Sequence, residues 1–385
     1  MRSGHLRLGK YGAFTLLVLV ILGLTGAEVV QSAPEDWVIG PPRFVVGPGP
    51  HGNAESALFE SVLATNIPLW SSSFTFNATP YPFTMVGTDP ALGSHTSRIP
   101  TIIIPIRFVF SDSTTLDASK PACGDTLSVA KRTKNSPIFQ KATYFPGANN
   151  AGPTNVGKTQ YVDAYQRANF WDSVSTVSPR YHVLLSPVAT KPSQVVFPAG
   201  SGVTVAVPGC ALAGLVDINF FDGVIQGLIG ELGIPKTKLP IFLAYNTFLF
   251  DGVPSNCCIL GYHNANNNNQ TYIFSSYPEP GLFGPGVEDI YTLSHEVGEW
   301  MDDPLVNNQT PPWGHVGQVP GCQDNLENGD PVSDNHFFTV TTKGKLYHPE
   351  DLVFFSWFAR ESPSRAVNGL YTFLNTFASP QGICQ

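Results

Sequence analysis

The stretch LSHEVGEWMDD, residues 293–303, decides how this chain reads. On a helix, residues four apart stand one above the other on the same face. His295 and Glu299 therefore point the same way and can hold one ion between them. This is the spacing of the His-Glu-x-x-His helix of zinc peptidases, with a glutamate in the second histidine's place. A carboxylate oxygen can replace an imidazole nitrogen on zinc. Glu296 keeps the position of the general base that works on a metal-bound water in those enzymes. The anionic second ligand makes the metal a weaker Lewis acid. Asp302 and Asp303 stay near the same face. Eight residues rise about 12 Å, however, so Asp303 is assigned to the turn at Pro304 rather than to the ion. Ile290, Leu293, Val297 and Met301 supply an apolar face, and the spacing predicts a helix over 287–303 closed by Pro304. Four acidic groups in eight residues beside one histidine call for a bound cation or for solvent.

A third ligand has to come from elsewhere. CQDNLENGDP, residues 322–331, is the best source. Glu327 is the leading choice. Asp330, three residues on, can share its turn, with one of the two binding and the other orienting a ligand from behind. His315, Asp324 and His336 are rivals. His263, in LGYHNA, is a candidate proton donor or oxyanion partner.

The chain outside this site sets the class. Its 385 residues suffice for one large domain or two moderate ones. Charged residues make up 13%, about half the usual share, which excludes a disordered chain or a coiled coil. With 36 Gly and 34 Pro, short strands joined by loops are expected. Arg2, Arg7 and Lys10 precede the apolar run AFTLLVLVILGL and the small residues TGA. This pattern predicts a secretory signal over 1–27, with an uncleaved membrane anchor as the alternative. The formal charge is −8, and loss of that basic leader makes it more negative. Nucleic acid is therefore not an expected partner. Six cysteines in an exported chain favour disulfides. Cys123–Cys210 and Cys322–Cys384 are the expected pairs. Cys257 and Cys258 form either a vicinal bridge or the ends of two separate ones.

Along the chain, residues 28–95 read as an irregular N-terminal segment, and 96–385 as a single α+β domain. The β-branched run 99–110 reads as a buried strand whose prolines place it near an edge or at strand ends. Helices are expected over 159–174 and 217–234, the latter capped by Asp217 and stopped by Gly233. Strands are expected in YHVLLSPV, GSGVTVAVPG, LPIFLAYNTFLFD and TYIFSSYP. The fold class is α+β, a mixed sheet with a zincin-like active-site helix in the C-terminal half.

SHEVGEWMDDPLVNN, residues 294–308, resembles the His-Glu-x-x-Glu segment followed by Asp-Pro in the phosphate-induced, EXORDIUM-like secreted proteins. CCILGYH resembles their Cys-Gly-x-His segment, at His263, and ENGDP their Glu-x-x-Asp segment, at Glu327 and Asp330. The three pieces keep the family's order and cover the C-terminal third. The chain departs from the family in the cysteine-to-His263 spacing, in Trp300 and Met301, and in Cys322 preceding the Glu-x-x-Asp segment. The resemblance implies a link with the cell wall and a metal-dependent fold.

These readings lead us to expect a secreted metal-dependent peptidase-like hydrolase. Zinc is expected on His295, Glu299 and Glu327 or Asp330, with Glu296 as base, His263 as proton donor, and a peptide or cell-wall glycan as substrate. The alternative is a non-catalytic cell-surface or glycan-binding protein with a structural metal, calcium included, since calcium takes many oxygen ligands.

Overall fold

The computed structural model describes residues 39–48, 66–209, 212–333 and 336–385; the signal expected over 1–27, and Cys210, lie outside them. Eleven strands make one mixed sheet. They are β1 (Arg43–Phe44), β2 (Thr96–Val109), β3 (Thr115–Asp117), β4 (His182–Ala189), β5 (Ser193–Val196) and β6 (Gly202–Ala206). The rest are β7 (Leu212–Asp217), β8 (Leu239–Tyr245), β9 (Thr247–Phe250), β10 (Cys257–Ala265) and β11 (Thr271–Tyr277). Each strand pairs with the next along the path β6-β7-β9-β10-β11-β8-β2-β3, β9 and β11 meeting the same edge of β10, with β4 and β5 also paired to β2, and β1 to β10. Together with the helices below, this bears out an α+β fold.

The strand β2 corrects one expectation. It is interior, parallel to β8 on one side and to β4 and β5 on the other. Its prolines are tolerated because they fall at gaps in the ladders. Pro100 precedes the first β8 pair, at Thr101, and Pro105 lies between the β4 ladder, which ends at Ile103, and the β5 ladder, which begins at Ile106. The run 239–251 is also two strands rather than one. Asn246 takes a positive φ of 45°, which asparagine tolerates, and the chain leaves β8 for a distant place in the sheet as β9.

The segment read as irregular contains a regular hairpin, Leu69–Phe76 with Thr79–Val86. Its two-residue turn places Asn77 and Ala78 at φ 47° and 65°, as a type I′ turn demands.

Four helices matter for the site: α1 (Tyr161–Asn169), α2 (Trp171–Thr176), α3 (Ile218–Glu231) and α4 (Tyr291–Asp302). The helix expected over 159–174 breaks into α1 and α2 at Phe170, whose backbone is not helical. Asp217 caps α3 by accepting from the Phe220 amide, and Gly233 follows its end at φ 57°, as the sequence implies. The helix α4 begins at Tyr291, later than expected, because Asp289 holds φ 47°.

Helices α3 and α4 cover opposite faces of the sheet. Phe221 of α3 packs on Phe108 and Phe274, and Asp222 accepts from the Tyr262 and Tyr272 hydroxyls at 2.9 and 2.7 Å. Side chains alternate along β10, so Gly261 and His263 face α4 instead. A Cβ on Gly261 would stand 2.6 Å from Glu296 Oε1 and 2.8 Å from Thr292 Cγ2. The bare glycine therefore lets α4 lie against the strand.

Cys322–Cys384 and a vicinal Cys257–Cys258 bridge are present. Cys123 is also disulfide-bonded, and its expected partner, Cys210, is outside the described residues. No described helix is long and apolar enough to cross a membrane.

Candidate metal centre

Helix α4 supplies the middle of the site. His295, Glu296 and Glu299 are all buried there. His295 Nε2 lies 3.1 Å from Glu299 Oε1 and 3.6 Å from Asp330 Oδ1. The loop after the Val319–Asn325 strand brings Asp330 and Glu327 beside the helix, where Glu327 lies within electrostatic reach of Glu299, His263 and Asp330. On the other side, β10 presents His263, whose Nδ1 stands 3.5 Å from Glu296 Oε2 and 3.6 Å from Glu299 Oε2. The two oxygens of Glu299 thus face two different histidines.

Two sets of donor atoms converge to within 4.8 Å of one another: His295, Glu299 and Asp330, and His263, Glu296 and Glu299. Either set could hold a metal ion. The expected pair of helix donors is brought together. The third donor beside it is Asp330, while Glu327, the leading choice from sequence, stands outside both sets. Among the rivals, His315 and Asp324 are exposed, and His336 joins neither set.

Several buried side-chain atoms of the protein lack a hydrogen-bond partner, and four of them lie in this cluster. His295 Nε2, His263 Nδ1 and both Glu296 oxygens are buried without a hydrogen-bond partner. Buried polar atoms are nearly always paired, because desolvation without a partner costs about 1–3 kcal/mol. Here the unpaired atoms lie around Glu299. A cation among them would give these atoms a partner.

The opposite edge of His295 is fully tied. Its Nδ1 is 2.7 Å from Glu350 Oε2, and Glu350 Oε1 accepts from the Tyr291 hydroxyl at 2.7 Å and from Ser333 Oγ at 3.2 Å. A carboxylate on Nδ1 fixes the tautomer that leaves Nε2 free to bind a metal. Gly329 packs flat on the imidazole, where a Cβ would overlap the ring, and its amide donates to Glu299 Oε1 at 3.2 Å. Phe44 stacks on the other face, with ring centroids 3.6 Å apart. Glu350, Gly329 and Phe44 were missed from sequence. Glu350 is 55 residues from His295 and carries no local signal. ENGDP does contain Gly329, between the two acids already singled out.

The remaining acids of the helix have structural partners. Asp303 accepts from the Asn307 and Asn308 amides at 2.9 and 3.2 Å and shapes the turn, as expected. Asp302 accepts from Tyr165 and Asn328 at 2.7 and 3.0 Å and from Gln166, which docks α1 onto α4.

Electrostatically the cluster is short of positive charge. Burial disfavours both imidazolium ions. Glu299 and Glu350 around His295, and Glu327, Glu296 and Glu299 around His263, nonetheless hold both rings well above the usual histidine value. Burial raises Glu296 to about 7 against the pull of the two histidines. It raises Glu350 to about 7, and Glu327 well above the carboxylate range. Glu299 alone is lowered, because His295 and His263 outweigh its burial. No lysine or arginine pairs with any of these acids among the described residues. A divalent cation would displace the protons they otherwise retain.

No family model matches this chain, nor does any curated protein or solved structure.

Proposed function

We propose that the protein is a secreted, zinc-dependent peptidase-like hydrolase. The supporting observation is the convergence of the His295, Glu299 and Asp330 donors, with His295 Nε2 unpaired and an unpaired Glu296 beside them. The set His295, Glu299 and Asp330 would hold the metal. One imidazole nitrogen with two carboxylates suits zinc better than calcium, which wants six to eight oxygens. A bound zinc polarises a carbonyl and acidifies a water. Glu296, next to His295 on the helix, would take a proton from a water attacking a peptide bond. His263, 3.5 Å from Glu296 Oε2, would pass a proton on. The signal-like leader and the disulfides agree with export, and the resemblance to the EXORDIUM-like proteins agrees with a metal-dependent fold acting at a cell wall.

The burial of every donor favours a second reading, in which the ion is structural and the protein a cell-surface or glycan-binding module. The variant Glu296→Gln separates the two. The hydrolase reading expects retained metal and fold with proteolytic turnover reduced by about a hundredfold or more. Turnover left unchanged by that substitution favours the binding module.

A further inference from the structure

An N-terminal segment of the chain packs against the candidate site. Residues 39–48, IGPPRFVVGP, run along β10. Ile259 pairs with Leu249 of β9 and also with Arg43; Gly261 pairs with Ser275 of β11 and also with Phe44. A residue has one ladder partner on each side. Strands β9 and β11 therefore share one edge of β10, and β1 takes the other. Among the described residues no other strand uses that outer edge.

The fit is close along the whole segment. A Cβ on Gly40 would stand 2.5 Å from the Cys257 carbonyl oxygen, and one on Gly47 would stand 2.6 Å from Asn264 Cβ. Asn264 Nδ2 donates to the Pro48 carbonyl at 2.9 Å, and Arg43 Nη2 donates to Asn256 Oδ1 at 2.8 Å. Between these anchors Phe44 lays its ring on His295. Gln318 clasps the backbone of Phe44, accepting from its amide at 2.6 Å and donating to its carbonyl at 3.1 Å. The same amide nitrogen also donates to Asp330. The segment thus touches one candidate metal ligand directly and another through Gln318.

The hold is nonetheless light. Only two residues enter the ladder, and three of the ten are prolines, which cannot donate to it. An edge strand with unpaired backbone groups is a ready acceptor for an extended peptide.

We propose that residues 39–48 occupy, as a built-in pseudo-substrate, the groove through which the site takes an extended polypeptide with an aromatic side chain stacked on His295. The segment must leave before a substrate can enter. The aromatic ring gives the groove its side-chain preference, and Gln318 together with the β10 edge reads the backbone. The substrate assignment rests on the hydrolase reading; the occlusion does not.

The test uses the full chain carrying Gly47→Val, with Gly40→Val as a second variant that forces the other end of the segment off β10. Circular dichroism verifies that each is folded. The proteins are treated with diethyl pyrocarbonate in a chelator, and modification of His295 is read by peptide mass spectrometry. Wild-type His295 should be protected, and the variants should react about tenfold faster or more. A labelled peptide of sequence IGPPRFVVGP should bind the variants saturably and the wild type hardly at all. Replacing its phenylalanine by alanine should weaken binding by about tenfold. Equal His295 reactivity in all folded proteins, or peptide binding that ignores the variants or the aromatic residue, overturns the proposal. Neither readout needs turnover, so an opened groove without proteolysis would count against the hydrolase reading alone.

Discussion

Replacing Glu350 by glutamine probes the one carboxylate that orients His295. The amide keeps the size of the side chain but offers a single acceptor oxygen. Glu350 now accepts on both oxygens, from Tyr291 on Oε1 and from His295 on Oε2, each at 2.7 Å. If the amide nitrogen faces His295, Nδ1 must accept, the ring proton moves to Nε2, and the metal loses its ligand. If it faces Tyr291 instead, the phenol oxygen must turn to accept, and its proton loses the buried carboxylate it now donates to. Carboxylates behind metal-binding histidines are worth about 10–100-fold in affinity, or about 1.4–2.7 kcal/mol. A mismatched buried donor costs about 1–3 kcal/mol of stability. Zinc competition against a chromophoric chelator at neutral pH, with thermal unfolding of the metal-free protein, reads both effects. An affinity within about twofold of wild type, with an unchanged melting temperature, would refute the orienting role of Glu350.

Two further variants test the packing and the charge around the helix. Gly329→Ala should cost about 1–3 kcal/mol and abolish metal binding, because its Cβ meets the His295 ring while the backbone itself is ordinary. Gly321→Ala, which meets nothing within 4 Å, is the control and should leave denaturation and metal titration unchanged. Burial lifts Asp302 to about 6 despite the donors Tyr165, Gln166 and Asn328, against 3.8 for the free side chain. The native state then binds that proton more tightly than the unfolded chain does. Stability present at low pH is therefore lost as pH rises from about 4 to about 6, by up to about 3 kcal/mol. Denaturant titrations across that range should show a smaller decline in Asp302→Asn; an equal decline would assign the effect to other groups.

Much of the site was legible because it is written on one helix. The four-residue spacing of His295 and Glu299, the adjacent Glu296 and the apolar positions are local, and α4 realises them. The capping of α3 by Asp217 and the stop at Gly233 are equally local. The errors came where tertiary structure overrides local pattern. Pro100 and Pro105 suggested an edge strand, but the interior ladders of β2 have gaps that accept them. Asn246 looked like one residue of a continuous strand, yet its left-handed backbone divides two. The hairpin over 69–86 was hidden because its turn uses Asn-Ala rather than Asn-Gly. Glu350 and Phe44 reach His295 only through the fold, from 55 residues downstream and from the far N-terminal side, and no periodicity could have indicated them.

His295, Glu299 and Asp330 are proposed to hold a metal. Elemental analysis of the purified full-length protein, beside the His295→Ala/Glu299→Ala double variant, tests this most directly. About one equivalent of zinc is expected in the wild type and none in the variant. Wild-type protein that stays metal-free after exposure to zinc, or a variant that keeps the same metal content, would contradict it.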